Sequence, residues 1–148
     1  MTGWKMKVAV VASAALLATS AVPTSAHHSF GAVFDATKPV TLTGTVTKVE
    51  IMNPHGWIYI DVKQPDGTVK NWAIETNTPQ QLASRGLKKN SIPIGLELVV
   101  QAYRSKDGSN TANGNIIRFP DGRDFSVGSL SADAPNEKSG GGPPPPPY

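Results

Sequence analysis

The stretch that most constrains the fold is residues 40–51, VTLTGTVTKVEI, in which apolar residues alternate with threonines and other polar residues. Such alternation is typical of a β-strand with one buried face. The alternation changes phase midway, because the apolar residues up to Val46 occupy even positions whereas Val49 and Ile51 occupy odd ones. We therefore predict a bulge or kink between residues 44 and 48, which would let one strand serve both sides of a barrel corner.

Several shorter runs downstream also have the composition of strands, and one has the signals of a helix. Strands are predicted over residues 56–63, 68–75, 96–103 and 112–119, with a last short strand over 123–127. Thr78 before Pro79 has the residue types of an N-cap and a first helical position. A short helix is therefore predicted over residues 80–85, ending at Gly86, with Leu82 facing the core.

Three strands, one helix and two further strands is the chain order of the OB-fold barrel. We therefore predict a mainly β chain that forms a small OB-fold-like β-barrel with one short helix, in the order β-β-β-α-β-β, over residues 27–127. A small β-sandwich with an incidental helical turn is the alternative, because periodicity does not show whether a sheet closes. The chain has no cysteine, so core packing rather than disulfides must stabilise this domain.

The N-terminal residues 1–26 have the pattern of a signal peptide. Lys5 and Lys7 form a basic beginning, residues 8–18 an apolar run, and the small residues before Ala26 an exit for signal peptidase. The apolar run is shorter than the ~20 residues that a membrane span needs, so no membrane anchor is expected. Cleavage after Ala26 predicts a periplasmic or secreted protein, with cleavage after Ala21 as the competing choice.

The C-terminal residues 128–148 have the composition of a disordered tail. They are rich in glycine, serine and proline and end in five consecutive prolines before Tyr148, which leaves too few apolar side chains to form a core. A spacer or solvated end is the ordinary interpretation. A proline-rich ligand for a partner domain is the alternative.

The charge of the mature chain argues against a nucleic-acid partner. Loss of Lys5 and Lys7 with the signal peptide leaves 12 of the 14 basic residues against 11 acidic ones, a net charge of +1. A balance so near zero does not predict the basic surface that binds phosphate backbones. Export also separates the protein from chromosomal DNA and cellular RNA.

The three histidines, His27, His28 and His55, are the candidate metal ligands. Cleavage after Ala26 would give His27 a free amine beside its own ring nitrogen, and His28 would add a second ring. His55 lies in an Asn-Pro-His-Gly turn, expected near the surface at one end of the barrel. Three or four nitrogen donors suit copper, as Cu(II) in a square-planar site. The alternative is that all three are ordinary polar residues of an arm and a turn.

Two aromatic residues, Trp57 and Tyr59, share the face of the second strand opposite its apolar residues. OB-folds use aromatic side chains in this part of the barrel to stack bases or sugars. Outside the cytoplasm, an envelope glycan or protein is the more plausible ligand. The alternative is that both side chains are packing residues, because large aromatics suit the pleat of a strand.

No constellation of catalytic residues is apparent in the sequence. Ser29 beside His28 does not form a triad by adjacency, and no Gly-x-Ser-x-Gly elbow occurs. The acids Glu50, Asp61 and Glu75 are isolated on predicted strands and are expected to be solvated. The sequence thus favours a non-catalytic binding or accessory protein over an enzyme.

Several motifs occur in an order that resembles a known family. They are AHHSF, FDATKPVTLTGTVTKVE, NPHGWIYIDV, NWAIE, YRSKDGSNTANG and FPDGRDF, which span residues 26–125. Together they are similar to a family of small exported bacterial proteins known only as a domain of unknown function. The resemblance implies a compact β-barrel, and it implies no established activity, substrate or catalytic residue. The Gly/Pro-rich tail lies outside it.

Overall fold

The computed structural model describes residues 28–129, 131 and 133–135. The predicted signal peptide, His27 and the polyproline end of the chain lie outside these residues. Within them, the strands are β1 Phe34–Ile51, β2 Gly56–Lys63, β3 Val69–Glu75, β4 Glu97–Ser105, β5 Thr111–Arg118 and β6 Asp124–Ser126; the helices are α1 Phe30–Val33 and α2 Pro79–Ser84, with a 3-10 turn at Lys89–Ser91. No helix among these elements has the length and apolar character needed to cross a membrane.

Five strands form a closed ring. β1 pairs with β2 on one side and with β4 on the other, β2 pairs with β3, and β4 pairs with β5, all antiparallel. A parallel pairing of β3 with β5 closes the ring, and β6 extends the sheet beyond β5. The prediction of a mainly β, OB-fold-like barrel with a short helix between its third and fourth strands is confirmed.

The predicted irregularity in β1 lies where its alternation changes phase. The pairing of β1 with β2 shifts register between Val46 and Lys48. On the N-terminal side of this bulge β1 pairs mainly with β4, and on the C-terminal side it pairs with β2. Gly44 lies close to the bulge, where a Cβ would come 2.8 Å from the carbonyl oxygen of Asp61. The glycine therefore allows two strands to approach closely at the bend.

The core fills the ring and is closed at one end by helix α2. Thr78 is the N-cap of this helix, and its side chain accepts a hydrogen bond from the backbone N–H of Gln81 at 3.3 Å. Leu82 is only 1% exposed and joins the core cluster, as predicted. Gly86 follows the helix with φ of +87°, a left-handed conformation that glycine adopts without strain.

A second, smaller cluster joins the two ends of the domain. Phe30 and Phe34 pack with Ala134, and all three are buried. The backbone N–H of Gly31 donates to the Asp133 carboxylate at 2.7 Å. The structured part of the chain thus continues past residue 127, where the sequence places the end of the domain. Residues 28–33, which we call the N-terminal arm, are held against the segment that contains Asp133 and Ala134.

Candidate functional site

His55 lies in the turn between β1 and β2, and the N-terminal arm covers it. Its ring stacks on the exposed ring of His28, with ring centroids 5.8 Å apart and an interplanar angle of 26°. The His55 side chain retains only 13% of its exposure. The turn chemistry predicted His55 near the surface at one end of the barrel, and its side chain is partly buried there and lines a cleft. The arm shields it from solvent.

Glu75, the last residue of β3, is buried beside His55. It pairs with Trp57 on one side and with Asn113 on the other, and only 3% of it is exposed. Its Oε1 lies 3.7 Å from Nδ1 of His55. Burial raises the pKa of the Glu75 carboxyl above its usual value, although nearby His28 and a hydrogen bond from Asn113 act in the opposite direction. The expectation that Glu75 is solvated is therefore wrong.

A polar cleft of about 250 Å³ opens beside the two histidines. It is lined by His28, His55, Asn77, Thr78, Gln81, Ser129 and Ser131. The Asn77 side chain donates to the carbonyl of Gly128 at 2.9 Å, and the hydroxyls of Ser129 and Ser131 lie 2.7 Å apart. The segment after β6 therefore forms one wall of the cleft, and the turn before α2 forms another.

Three kinds of contact fix the arm that carries His28. Phe30 lies between Phe34 and Tyr103, with ring centroids 5.6 Å and 5.7 Å away. The ammonium of Lys106 donates to the carbonyl of Gly31, and the backbone N–H of Lys106 donates to the carbonyl of Val33 at 2.8 Å. Asp133 holds the arm from the opposite side, as described above. Because these contacts hold the arm, His28, two residues before Phe30, has a defined position.

The structure brings together two of the three predicted metal ligands. His28 and His55 are neighbours, whereas His27 lies outside the described residues. Across residues 28–129, 131 and 133–135, no group of three or more His, Cys, Asp or Glu side chains is arranged to hold a metal ion. A metal site here would require donors from His27 in addition to the two rings.

The predicted aromatic ligand site is half-buried and partly occupied by other side chains. Trp57 and Tyr59 share the outer face of β2, and both are half-exposed. The Tyr59 hydroxyl donates to the Glu50 carboxylate at 2.9 Å. Lys48 pairs with Glu50 at 2.6 Å and lies over the Tyr59 ring, 5.2 Å from its centroid. Glu50 is therefore an ion-paired residue, and Tyr59 is in contact with both Glu50 and Lys48.

The residues that sequence reasoning missed are those brought to the histidines by distant contacts. They are Glu75, Asn77, Asn113, Ser129 and Ser131. Alternation in β3 puts Glu75 on the outer face of the barrel, and nothing local shows that another segment covers that face. The one available signal was the assignment of His27, His28 and His55 to one candidate metal site, which requires the N-terminal segment to lie near His55.

A comparison with models of protein families gives a match for this chain. A model described as a family of unknown function (DUF6152) matches residues 13–114, more than two thirds of the 148-residue chain. The matched segment includes all three histidines, Glu75 and Asn113, and it ends within β5. No curated protein and no solved structure matches the chain. The chain therefore belongs to this family of unknown function.

Proposed function

We propose that this chain is an exported, non-catalytic binding or accessory protein that binds Cu(II) at its mature N-terminus through His27, His28 and His55. The observation that carries the proposal is the stacking of the His28 and His55 rings at a centroid distance of 5.8 Å. Imidazole nitrogens bind such ions at about 2 Å, so two rings on one ion must be neighbours. The rings of His28 and His55 are already neighbours.

The anchored arm supports the proposal energetically. A free chain terminus loses much conformational entropy when it folds onto a metal ion. Here Phe30 is buried and Gly31 is hydrogen-bonded to Asp133, so the chain is already held three and four residues after the proposed amine ligand. A site that is organised before binding loses less entropy on binding. If signal peptidase cleaves after Ala26, His27 is the first residue of the mature chain. Its amine and ring then directly precede His28.

The chemistry of the cleft also agrees with this role. Every side chain that lines the cleft carries a polar group, and both histidines border it. Nitrogen donors from an amine and imidazoles favour Cu(II) over the hard cations that take oxygen ligands. We place the protein in the periplasm or outside the cell, where its partner would be an envelope protein or glycan.

The deciding experiment compares a protein that begins at His27 with one that carries an additional glycine before it. Copper should bind the first in a 1:1 ratio, with a nitrogen-rich electron paramagnetic resonance spectrum. The additional residue displaces the chelating amine, and His55→Ala removes one ring. Each change should reduce affinity at least about tenfold, whereas Lys70→Ala, at an exposed position of β3, should not. Equally weak binding by both proteins would contradict the proposal.

A second candidate function is binding of an envelope glycan or protein on the outer face of β2. The partial exposure of Trp57 and Tyr59 on one strand face favours it. Trp57→Ala should then leave the fold intact and abolish retention on an envelope glycan. Trp72→Ala is the comparison, since Trp72 is 6% exposed and its truncation should cost about 3–5 kcal/mol of stability. Unfolding of Trp57→Ala would instead make Trp57 a packing residue.

A further inference from the structure

We propose that Arg104 and Trp72 form a binding site for an oxyanion, a carboxylate or a phosphate group, at the seam of the barrel. Arg104 lies in β4 and Trp72 in β3. The guanidinium lies over the indole ring, with its carbon Cζ 5.1 Å from the ring centroid. The pair shares no residue with the histidine cleft. The proposal therefore goes beyond the copper function and does not depend on it.

The indole N–H of Trp72 is the first observation that points to a ligand. Trp72 is only 6% exposed and belongs to the core cluster. Its Nε1 is shielded from solvent, and no group among the described residues accepts its hydrogen. A buried indole N–H usually has a hydrogen-bond partner, because a buried donor without one costs free energy. This donor is therefore available to an acceptor that comes from outside the described chain.

The guanidinium of Arg104 is the second observation. An arginine side chain carries five N–H donors and keeps its positive charge. The other arginines each donate to an oxygen of the fold, namely Arg85 to Ser126, Arg118 to Asp124 and Arg123 to Asp121. Within the part of the chain that the structure describes, the Arg104 guanidinium contacts the face of Trp72 and has no hydrogen bond or ion pair. Its donors are therefore also available to a ligand.

The topology of the sheet brings these two groups together. Arg104 pairs with Ala112 of β5, and Ala112 pairs with Ile74 across the parallel closure of the barrel. Trp72 precedes Ile74 by two residues and so lies on the same face of β3. The parallel pairing begins at Ala73 and Thr111, so Arg104 and Trp72 lie at the edge of the closure. Because Arg104 is half-buried, an anion from solvent can reach its guanidinium there.

The charges around the pair favour a negative ligand. The acid closest to Arg104 along the chain, Asp107, is engaged within its own turn, where Oδ1 accepts from the hydroxyl of Ser105 at 2.7 Å and from the N–H of Ser109 at 2.9 Å. A guanidinium binds carboxylates and phosphates through two parallel N–H donors. The indole N–H adds a neutral donor beside this charged one, so two oxygens of one anion can be bound together.

The test uses the protein that begins at His27, labelled with ¹⁵N. Loss of Trp4 with the signal peptide leaves Trp57 and Trp72 as its tryptophans, and Trp72→Phe identifies the Trp72 indole signal because it removes the N–H and keeps an aromatic ring. Inorganic phosphate and acetate are each added at an ionic strength held constant with sodium chloride. At least one of them should shift the Trp72 signal in a saturable manner, and the anion that binds more tightly identifies the ligand class.

Variants of Arg104 distinguish an anion site from a packing contact. Arg104→Gln should weaken anion binding at least about tenfold, the loss expected for a charge-assisted hydrogen bond. Arg104→Lys keeps the charge but not the paired donors, and its affinity should be intermediate. Arg123→Gln is the matched control, because Arg123 also lies over an aromatic ring, that of Phe119 at 5.4 Å, but is already paired with Asp121. A Trp72 signal that neither anion shifts, or an unchanged affinity in Arg104→Gln, would overturn the proposal.

Discussion

At the scale of single residues, Glu75 has an effect on stability that its neighbour on the sheet, Glu50, should not share. Burial raises the folded-state pKa of Glu75 above its ordinary value of 4.5. Hydrogen bonds from Lys48 and Tyr59 lower the pKa of Glu50 instead. The two carboxylates therefore change the free energy of unfolding in opposite directions as the pH rises.

We predict that Glu75→Gln stabilises the protein at neutral pH. Because the folded-state pKa is raised, the contribution of Glu75 is most favourable below the unfolded value near 4.5 and is lost as the pH rises through the higher folded value. The gain from Glu75→Gln should therefore be present at pH 7 and absent at pH 4. Urea unfolding at both pH values measures it. Glu50→Gln should lose stability at pH 7, and equal behaviour of the two variants would contradict this account.

At the scale of secondary structure, β1 shows what alternation predicts well. The phase change between Val46 and Val49 identified a bulge, and the register shift lies there. The earlier start of β1, at Phe34 rather than residue 40, was missed because residues 35–39 carry no alternation and lie in an irregular part of the β4 pairing. Helix α1 was missed because four residues are too few to show a helical period.

Gly44 should be required at the bend of β1 because a side chain has no space there. The backbone at this position does not need a conformation that only glycine adopts easily. Gly44 does not share the positive φ of the turn glycines, but a Cβ would lie 2.8 Å from the Asp61 carbonyl oxygen and 3.0 Å from Cγ2 of Val62. We therefore expect Gly44→Val to destabilise the domain by roughly 1–3 kcal/mol, the usual range for overpacking. Thermal unfolding measures this. Thr43→Val, at the exposed position beside it, is the control, and an unchanged midpoint for Gly44→Val would contradict the steric explanation.

At the scale of the whole molecule, the candidate site is assembled from segments far apart in the chain. The arm supplies His28, the β1–β2 turn supplies His55, β3 supplies Glu75, and the segment after β6 supplies Ser129. Local sequence predicted the barrel because alternation and turn residues report on strands directly. It could not predict the buried carboxylate, because burial of Glu75 depends on an arm that folds back across the sheet.

The contact between the two ends of the domain should therefore control the histidine pair. Asp133 accepts the hydrogen bond of the Gly31 N–H at 2.7 Å and also interacts with Ser29 and Phe30, so its carboxylate ties the arm to the segment after β6. Asp133→Ala should speed hydrogen exchange of the Gly31 amide about tenfold, the effect of losing one charge-assisted hydrogen bond, and should weaken copper binding in parallel. The barrel should keep its unfolding midpoint, because its core contains none of these residues. Asp121→Ala is the matched control, since this exposed acid pairs with nearby Arg123 in the β5–β6 turn. Unchanged exchange at Gly31 would mean that Phe30 and Lys106 anchor the arm without Asp133. Ala134→Asp, which introduces a charge beside Phe30, would then be the variant that separates the two histidines.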